Sequence, residues 1–67
     1  MADQAKLEQI LRNTIQKQDG YITVGLFALH SGLTSYSARK QLNAWCEGDN
    51  PKLLKTRRGQ EYVYTEV

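Results

Sequence analysis

The chain has 67 residues, of which 40% are hydrophobic, and its formal net charge is +2. This length fits one small domain with a modest core and little room for an enzyme cleft, while the apolar content excludes a disordered chain. One cysteine and one histidine exclude an intramolecular disulfide and are too few for a structural zinc or iron–sulfur site.

The first predicted element is an amphipathic helix over residues 3–18. Apolar residues from Leu7 to Ile15 recur at steps of three and four, and polar residues fill the opposite face. Asp3 is suited to cap the first turn. The helix ends at the "DG" pair, where Gly20 suits the left-handed position that follows a helix.

A short β-favouring stretch, "YIT" at 21–23, comes next. Thr23 can cap a second, short helix over residues 24–31, and Gly32 breaks it. Two short helices joined by a tight turn that contains glycine are typical of a helix-turn-helix motif.

The third helix begins at a cap, Thr34 or Ser35, and runs to about Glu47. On a helical wheel its inward side consists of Ala38, Leu42 and Trp45, which we expect to pack against the first helix. Its outward side is polar and cationic, with Tyr36, Lys40 and Asn43 flanked by Ser37, Arg39 and Ala44.

A hairpin closes the chain. Residues 48–51 form a turn because Pro51 cannot continue a helix. Strands are predicted over 53–56 and 61–67, and residues 57–60 connect them, with Gly59 supplying a positive φ.

The order of elements predicts an α+β fold, a winged helix-turn-helix. It has three helices, a short first strand and a C-terminal β-hairpin wing, and residues 1–67 form a single domain. An α-helix fits the DNA major groove, and the second helix of such a motif carries the side chains that reach base edges. Cations at the wing would contact the phosphate backbone.

We therefore predict a sequence-specific regulator that binds double-stranded DNA. The predicted DNA-binding residues are Thr34, Ser35, Tyr36, Ser37, Arg39, Lys40, Asn43, Lys55, Arg57 and Arg58. The structural alternative for both cationic regions is a solvated surface that binds nothing specific.

The stretches "LTSYSAR" (33–39) and "TRRGQEYVY" (56–64) resemble small fimbrial-operon transcriptional regulators of enterobacteria, of the FaeA/Pap-regulator type. The matching positions are Thr34, Tyr36, Ala38 and Arg39, then Arg57, Arg58, Gly59 and Tyr62 or Tyr64. The segment "CEGDNPKL" departs from the family, which enters its first wing strand sooner after the helix. The resemblance implies a bacterial winged-helix protein that binds DNA near a promoter and cooperates with a global regulator such as the leucine-responsive protein.

The alternative function is a winged-helix protein–protein interaction adaptor without direct DNA binding. Leu26 and Leu29 of the second helix are expected to be partly exposed, and such an apolar patch can contact a partner or a second copy. No catalytic residues, metal site, cofactor or small-molecule ligand is expected, because no nucleophile pairs with an evident base. No apolar run approaches a membrane span and no signal-peptide core is present, so a cytoplasmic protein without membrane contact is expected.

Overall fold

A computed structural model describes residues 3–67. Within these residues the chain forms three α-helices and one three-stranded antiparallel sheet, which is the predicted α+β class. In chain order the elements are α1 (Gln4–Lys17), β1 (Tyr21–Ile22), α2 (Val24–Ser31), α3 (Ser35–Cys46), β2 (Leu53–Arg58) and β3 (Glu61–Glu66). No helix in the described range combines the length and the apolar character needed to cross a lipid bilayer.

Each helix begins at a short polar side chain that accepts a hydrogen bond from a backbone N–H of the first turn. The caps are Asp3 for α1, Thr23 for α2 and Thr34 for α3. Such a cap satisfies a donor that has no partner inside the helix, and its loss costs about 1 kcal/mol. Of the two candidate caps for α3, Thr34 is therefore the one that acts.

The end of α1 differs from the prediction by one residue. Asp19 has a φ of 57° and is followed by Gly20 at 91°. The Gly20 N–H donates to the Ile15 carbonyl over 3.0 Å, which is the longer hydrogen bond of a Schellman ending. The first left-handed position thus belongs to Asp19 and not to Gly20, because a short polar side chain tolerates that conformation.

The core lies between the helices and one face of the sheet. Its buried members are Leu7, Leu11, Ile15, Ile22, Phe27, Ala38, Leu42, Trp45, Leu53 and Tyr64. The rings of Phe27 and Trp45 meet edge-to-face with their centroids 5.6 Å apart, a geometry that adds to the burial of both rings.

The buried side of α3 is the predicted one, Ala38, Leu42 and Trp45. Its backbone lies nearest to α2 and β2, while Ala38, Leu42 and Trp45 share one core with Leu7, Leu11 and Ile15 of α1. Contact between α1 and α3 includes a pair of side-chain amides, since Gln4 Nε2 donates to Gln41 Oε1 over 3.0 Å. Because α3 packs on both a helix and the sheet, its orientation relative to the hairpin is defined.

The hairpin is longer on its first strand than predicted. β2 continues through Arg57 and Arg58 to a two-residue turn at 59–60, and β3 ends at Glu66. Gly59 has a φ of 66° as predicted, and glycine at the first position of a two-residue turn matches the turn that follows the natural twist of a hairpin. β3 is the central strand, with β2 on one side and β1 on the other.

Candidate functional site

The polar side of α3 lies on its N-terminal half. Ser35, Tyr36, Ser37, Arg39 and Lys40 are all exposed. The Tyr36 side chain is 62% exposed, and the Lys40 ammonium lies 5.3 Å from the centroid of its ring. This half of the helix presents an aromatic ring and two cations to the surroundings.

Asn43 occupies a different environment from the rest of the predicted outward side. It is half-buried, and its Oδ1 accepts a hydrogen bond of 2.8 Å from the Tyr64 hydroxyl. The purely outward placement that the helical wheel predicted for Asn43 is therefore wrong, because Tyr64 holds its carbonyl oxygen against the sheet. Its side-chain NH₂ group has no such partner among residues 3–67.

The hairpin has two faces that carry different cations. Opposite residues in an antiparallel pair point to the same side, and Lys55 lies opposite Tyr64 while Arg57 lies opposite Tyr62. These side chains share the sheet face that covers the core, to which Tyr64 belongs. The Lys55 ammonium lies 4.5 Å from the centroid of the Tyr62 ring, so cation and ring form one surface beyond the core.

Arg58 lies on the outer face of the sheet, away from Lys55 and Arg57. Its guanidinium lies 5.1 Å from the centroid of the Tyr21 ring, which stands on the opposite edge strand. The contact therefore crosses the central strand at Val63, which is only 5% exposed although it lies outside the core cluster. The predicted wing cations Lys55, Arg57 and Arg58 are thus divided between the two faces of the hairpin.

A cleft brings α2, α3 and the hairpin together. It is lined by Thr23, Val24 and Gly25 at the start of α2, by Arg39 of α3, by Lys55, Tyr62 and Tyr64 on the core-side face of the hairpin, and by Glu61 at the start of β3. The backbone N–H groups at the start of a helix favour an anion. Two cations and a helix start thus converge on one concave surface, with a single carboxylate, Glu61, at its rim.

Burial is the main cause of the pKa shifts of Tyr64, which lines the cleft, and of the nearby Cys46. Burial raises the pKa of the Tyr64 phenol, the neighbouring Cys46 raises it further, and the Arg39 guanidinium opposes both effects. Burial also raises the pKa of the semi-buried Cys46 thiol, with Lys55 opposing it. Both groups are therefore neutral near pH 7, and Cys46 has the low nucleophilicity of a structural thiol.

The leucines of α2 separate into one packed and one exposed residue. Leu26 is half-buried against the core, whereas the side chain of Leu29 is 75% exposed. Both leucines are partly exposed, as expected, but only Leu29 offers a substantial apolar surface. His30, beside it, is exposed at the end of α2.

The cleft unites only part of the predicted DNA-binding set. Arg39 and Lys55 line it, whereas Arg58 is turned to the outer face and Thr34 serves as a helix cap. Reasoning from the sequence missed the start of α2 as a wall of the cleft. The signal that could have revealed it is the Thr23 cap, which marks a helix start directly after a strand that joins the sheet.

Within residues 3–67 no cluster of histidine, cysteine and carboxylate side chains could hold a metal ion. Comparison with known proteins adds no assignment: no protein-family model, no curated protein and no solved structure matches the chain.

Proposed function

We propose that the chain is a winged helix-turn-helix transcriptional regulator that binds double-stranded DNA, with α2 and α3 as the helix-turn-helix and β2–β3 as the wing. The observation that carries the proposal is the convergence of Arg39, Lys55 and the start of α2 on one cleft. Cations from a helix and from a hairpin that face the same side can contact a duplex at once, one in a groove and one on the backbone.

In this arrangement the N-terminal half of α3 enters the major groove. Ser35 and Ser37 are exposed and small enough to permit close approach, and Arg39 and Lys40 supply donors for guanine edges or phosphates. Asn43 contributes its free NH₂ group, since its carbonyl oxygen already accepts from Tyr64. The base that Asn43 would contact is therefore one that accepts a hydrogen bond.

The wing contributes through the face that carries Lys55 and Arg57. The Arg57 Nε donates to the Gly59 carbonyl over 3.2 Å, which holds the guanidinium at the turn, and Lys55 projects beside the Tyr62 ring. Arg58, stacked on Tyr21, has a supporting role in the hairpin and little part in DNA contact.

The resemblance to fimbrial-operon regulators of the FaeA/Pap-regulator type supports a bacterial, cytoplasmic regulator acting near a promoter. A domain of this size presents a small DNA surface, so cooperation with a global regulator or with a second copy would supply the remaining specificity. We also propose that the protein is not an enzyme. Burial raises the pKa of the Cys46 thiol, which disfavours the thiolate, and among residues 3–67 neither His30 nor Cys46 forms a side-chain hydrogen bond with an acid or a base.

The test is titration with duplex DNA at several salt concentrations, comparing wild type with Arg39→Ala, Lys55→Ala and Arg12→Ala. Arg12 is exposed on α1 and does not line the cleft, so it is the control of equal charge change. We expect each cleft variant to reduce the slope of log affinity against log salt by about one, with Arg12→Ala unchanged. Absence of duplex binding at low salt, or an equal loss in all three variants, would contradict the proposal.

A protein–protein adaptor is the second candidate, and the exposure of Leu29 favours it. Leu29→Asp discriminates between the two functions, because the residue is remote from the core and its replacement leaves the cleft intact. Loss of a partner or of self-association with unchanged duplex affinity would assign α2 to protein contact. If Leu29→Asp changes neither, the adaptor function loses its support.

A further inference from the structure

One edge of the sheet, the outer side of β2, pairs with no further strand among residues 3–67. β3 is the central strand, and β2 pairs with it on the inner side. The pair that closes a two-residue turn, here Arg58 and Glu61, exchanges two backbone hydrogen bonds. Hydrogen-bonded and non-hydrogen-bonded pairs then alternate along the two strands. The N–H and C=O groups of Lys55 and Arg57 therefore point outward, away from β3.

The open edge is cationic and largely unneutralised. Lys55 and Arg57 lie opposite tyrosines and not opposite acids. The one ion pair found in the described part of the chain joins Lys52 to Glu8, so within residues 3–67 neither Lys55 nor Arg57 forms an ion pair, although Glu61 lines the same cleft as Lys55. Their charges are available to a partner that lies along the edge.

The same strand offers one apolar contact on the other face of the sheet. Leu54 alternates with Lys55 along β2, and its side chain is 54% exposed. A strand placed beside β2 would thus meet cations on one face and a leucine on the other. This alternation matches an extended segment in which acidic and apolar side chains alternate.

We propose that β2 is a docking edge for an extended acidic segment of a partner protein, which adds as a fourth strand. Backbone hydrogen bonds to Lys55 and Arg57 would hold the segment, two acidic side chains opposite these residues would define its register, and an apolar one would cover Leu54. A second copy of β2 suits the edge poorly, because it would bring another set of the same cations beside the first.

Docking on this edge has a regulatory consequence. Lys55 and Arg57 are also the wing residues assigned to DNA contact, so a segment bound to them would compete with the duplex. Binding of the segment is tested in the absence of DNA, so its result does not depend on whether the protein binds DNA. Competition is measured separately and is expected only if the proposed function is correct.

The experiment uses a short synthetic peptide with the core Glu-Val-Glu-Leu, which runs antiparallel to β2 and places its acids opposite Arg57 and Lys55. The controls are the same peptide with glutamine for glutamate, and a scrambled peptide of equal charge. Amide hydrogen exchange of the wild-type protein is measured with each peptide. We expect the acidic peptide alone to slow exchange at Lys55 and Arg57, while Thr56, whose N–H already pairs with β3, changes little.

Two variants separate charge from backbone pairing. Arg57→Ala removes one charge, and we expect up to about a fivefold loss of peptide affinity. Arg57→Pro removes the same charge and also the outward N–H, at an edge position that tolerates proline, and we expect a further loss of about three- to tenfold. Circular dichroism of both variants shows whether they are folded. If the proline variant is unfolded, the hydrogen-exchange measurements on the wild-type protein still test the proposal.

Three results would overturn the proposal. Equal binding of the scrambled peptide would mean simple attraction between a polyanion and cations. Equal binding of the glutamine peptide would remove the acidic requirement. A dimer of the protein in sedimentation, dispersed by the peptide, would assign the edge to a second copy.

Discussion

The two faces of the β2–β3 hairpin use neighbouring and similar residues for opposite purposes. On one face Leu53 is fully buried and Lys55 and Arg57 continue outward from the core beside Tyr62. On the other face Leu54 is exposed and Arg58 folds back over Tyr21. Position along a strand, and not residue type, decides whether a side chain stabilises the domain or is free to contact a partner.

The largest test of this comparison is the pair of adjacent leucines. Leu53→Ala should lower the free energy of unfolding by about 2–5 kcal/mol because it leaves a cavity in the core. Leu54→Ala should change it by no more than about 0.5 kcal/mol, as expected for a surface position. Urea denaturation of both variants measures the difference. Similar losses would mean that Leu54 is also packed.

The adjacent arginines test the comparison in binding. Arg57→Ala should weaken duplex binding and reduce the salt slope by about one, whereas Arg58→Ala should leave the slope nearly unchanged because its guanidinium lies on the outer face. Titrations at matched ionic strength measure both variants. A larger effect from Arg58 would reverse the assignment of faces.

The hydrogen bond between Tyr64 and Asn43 tests how the inner face is tied to α3. Tyr64→Phe should lower the free energy of unfolding by about 0.5–1.5 kcal/mol, because it removes the donor from a half-buried acceptor. Tyr62→Phe is the matched control, since that ring is exposed and no hydrogen bond of its hydroxyl is found within residues 3–67. Equal effects would mean that the hydrogen bond contributes nothing.

The same hydroxyl predicts a pH dependence. The pKa of Tyr64 is raised in the folded protein, so the folded state holds this proton more tightly than the unfolded chain. Its contribution is complete below the ordinary tyrosine pKa of about 10 and is lost as the pH rises above it. Between neutral and strongly alkaline pH, the free energy of unfolding should fall more steeply for the wild type than for Tyr64→Phe.

The smallest expected effect concerns the outer face. Arg58→Ala should cost about 0.5–1 kcal/mol, the range of an exposed cation–π contact. A double-mutant cycle with Tyr21→Leu isolates the contact, since only a coupled pair gives a non-additive result. Arg57→Ala serves as the control and should change stability by no more than about 0.5 kcal/mol, because its hydrogen bond to the Gly59 carbonyl is exposed. Additive losses of stability for the Arg58 and Tyr21 variants would mean that the contact between these side chains does not stabilise the fold.

Much of the architecture follows from local signals in the sequence. The Asp3 and Thr23 caps, the glycine turn after α2 and Gly59 in the hairpin turn each predict an element through the nearest neighbours in the chain. The close approach of α3 to α2 and β2, in addition to the core that it shares with α1, depends on the arrangement of whole elements. A helical wheel contains no information about which neighbour a face will meet.

The part of the candidate site that could be predicted from the sequence is the part that depends only on which side chains are exposed. The exposed half of α3 follows from periodicity, but the placements of Asn43 and Arg58 do not. Each depends on one tyrosine that is distant in sequence, Tyr64 for Asn43 and Tyr21 for Arg58. The number and spacing of cations in the sequence therefore overestimate how many are available to contact DNA, because a guanidinium can also pack on the apolar groups of its own protein.

The pairing of β1 with β3 has a kinetic consequence. Ile22 lies opposite Tyr64, so this short ladder closes only after α2 and α3 have brought its two strands together, whereas the β2–β3 hairpin is local and can form early. We expect Ile22→Val to speed unfolding while leaving the folding rate almost unchanged. The last hydrogen bonds to form in this sheet would then be the first to break, and they determine how long the domain persists once folded.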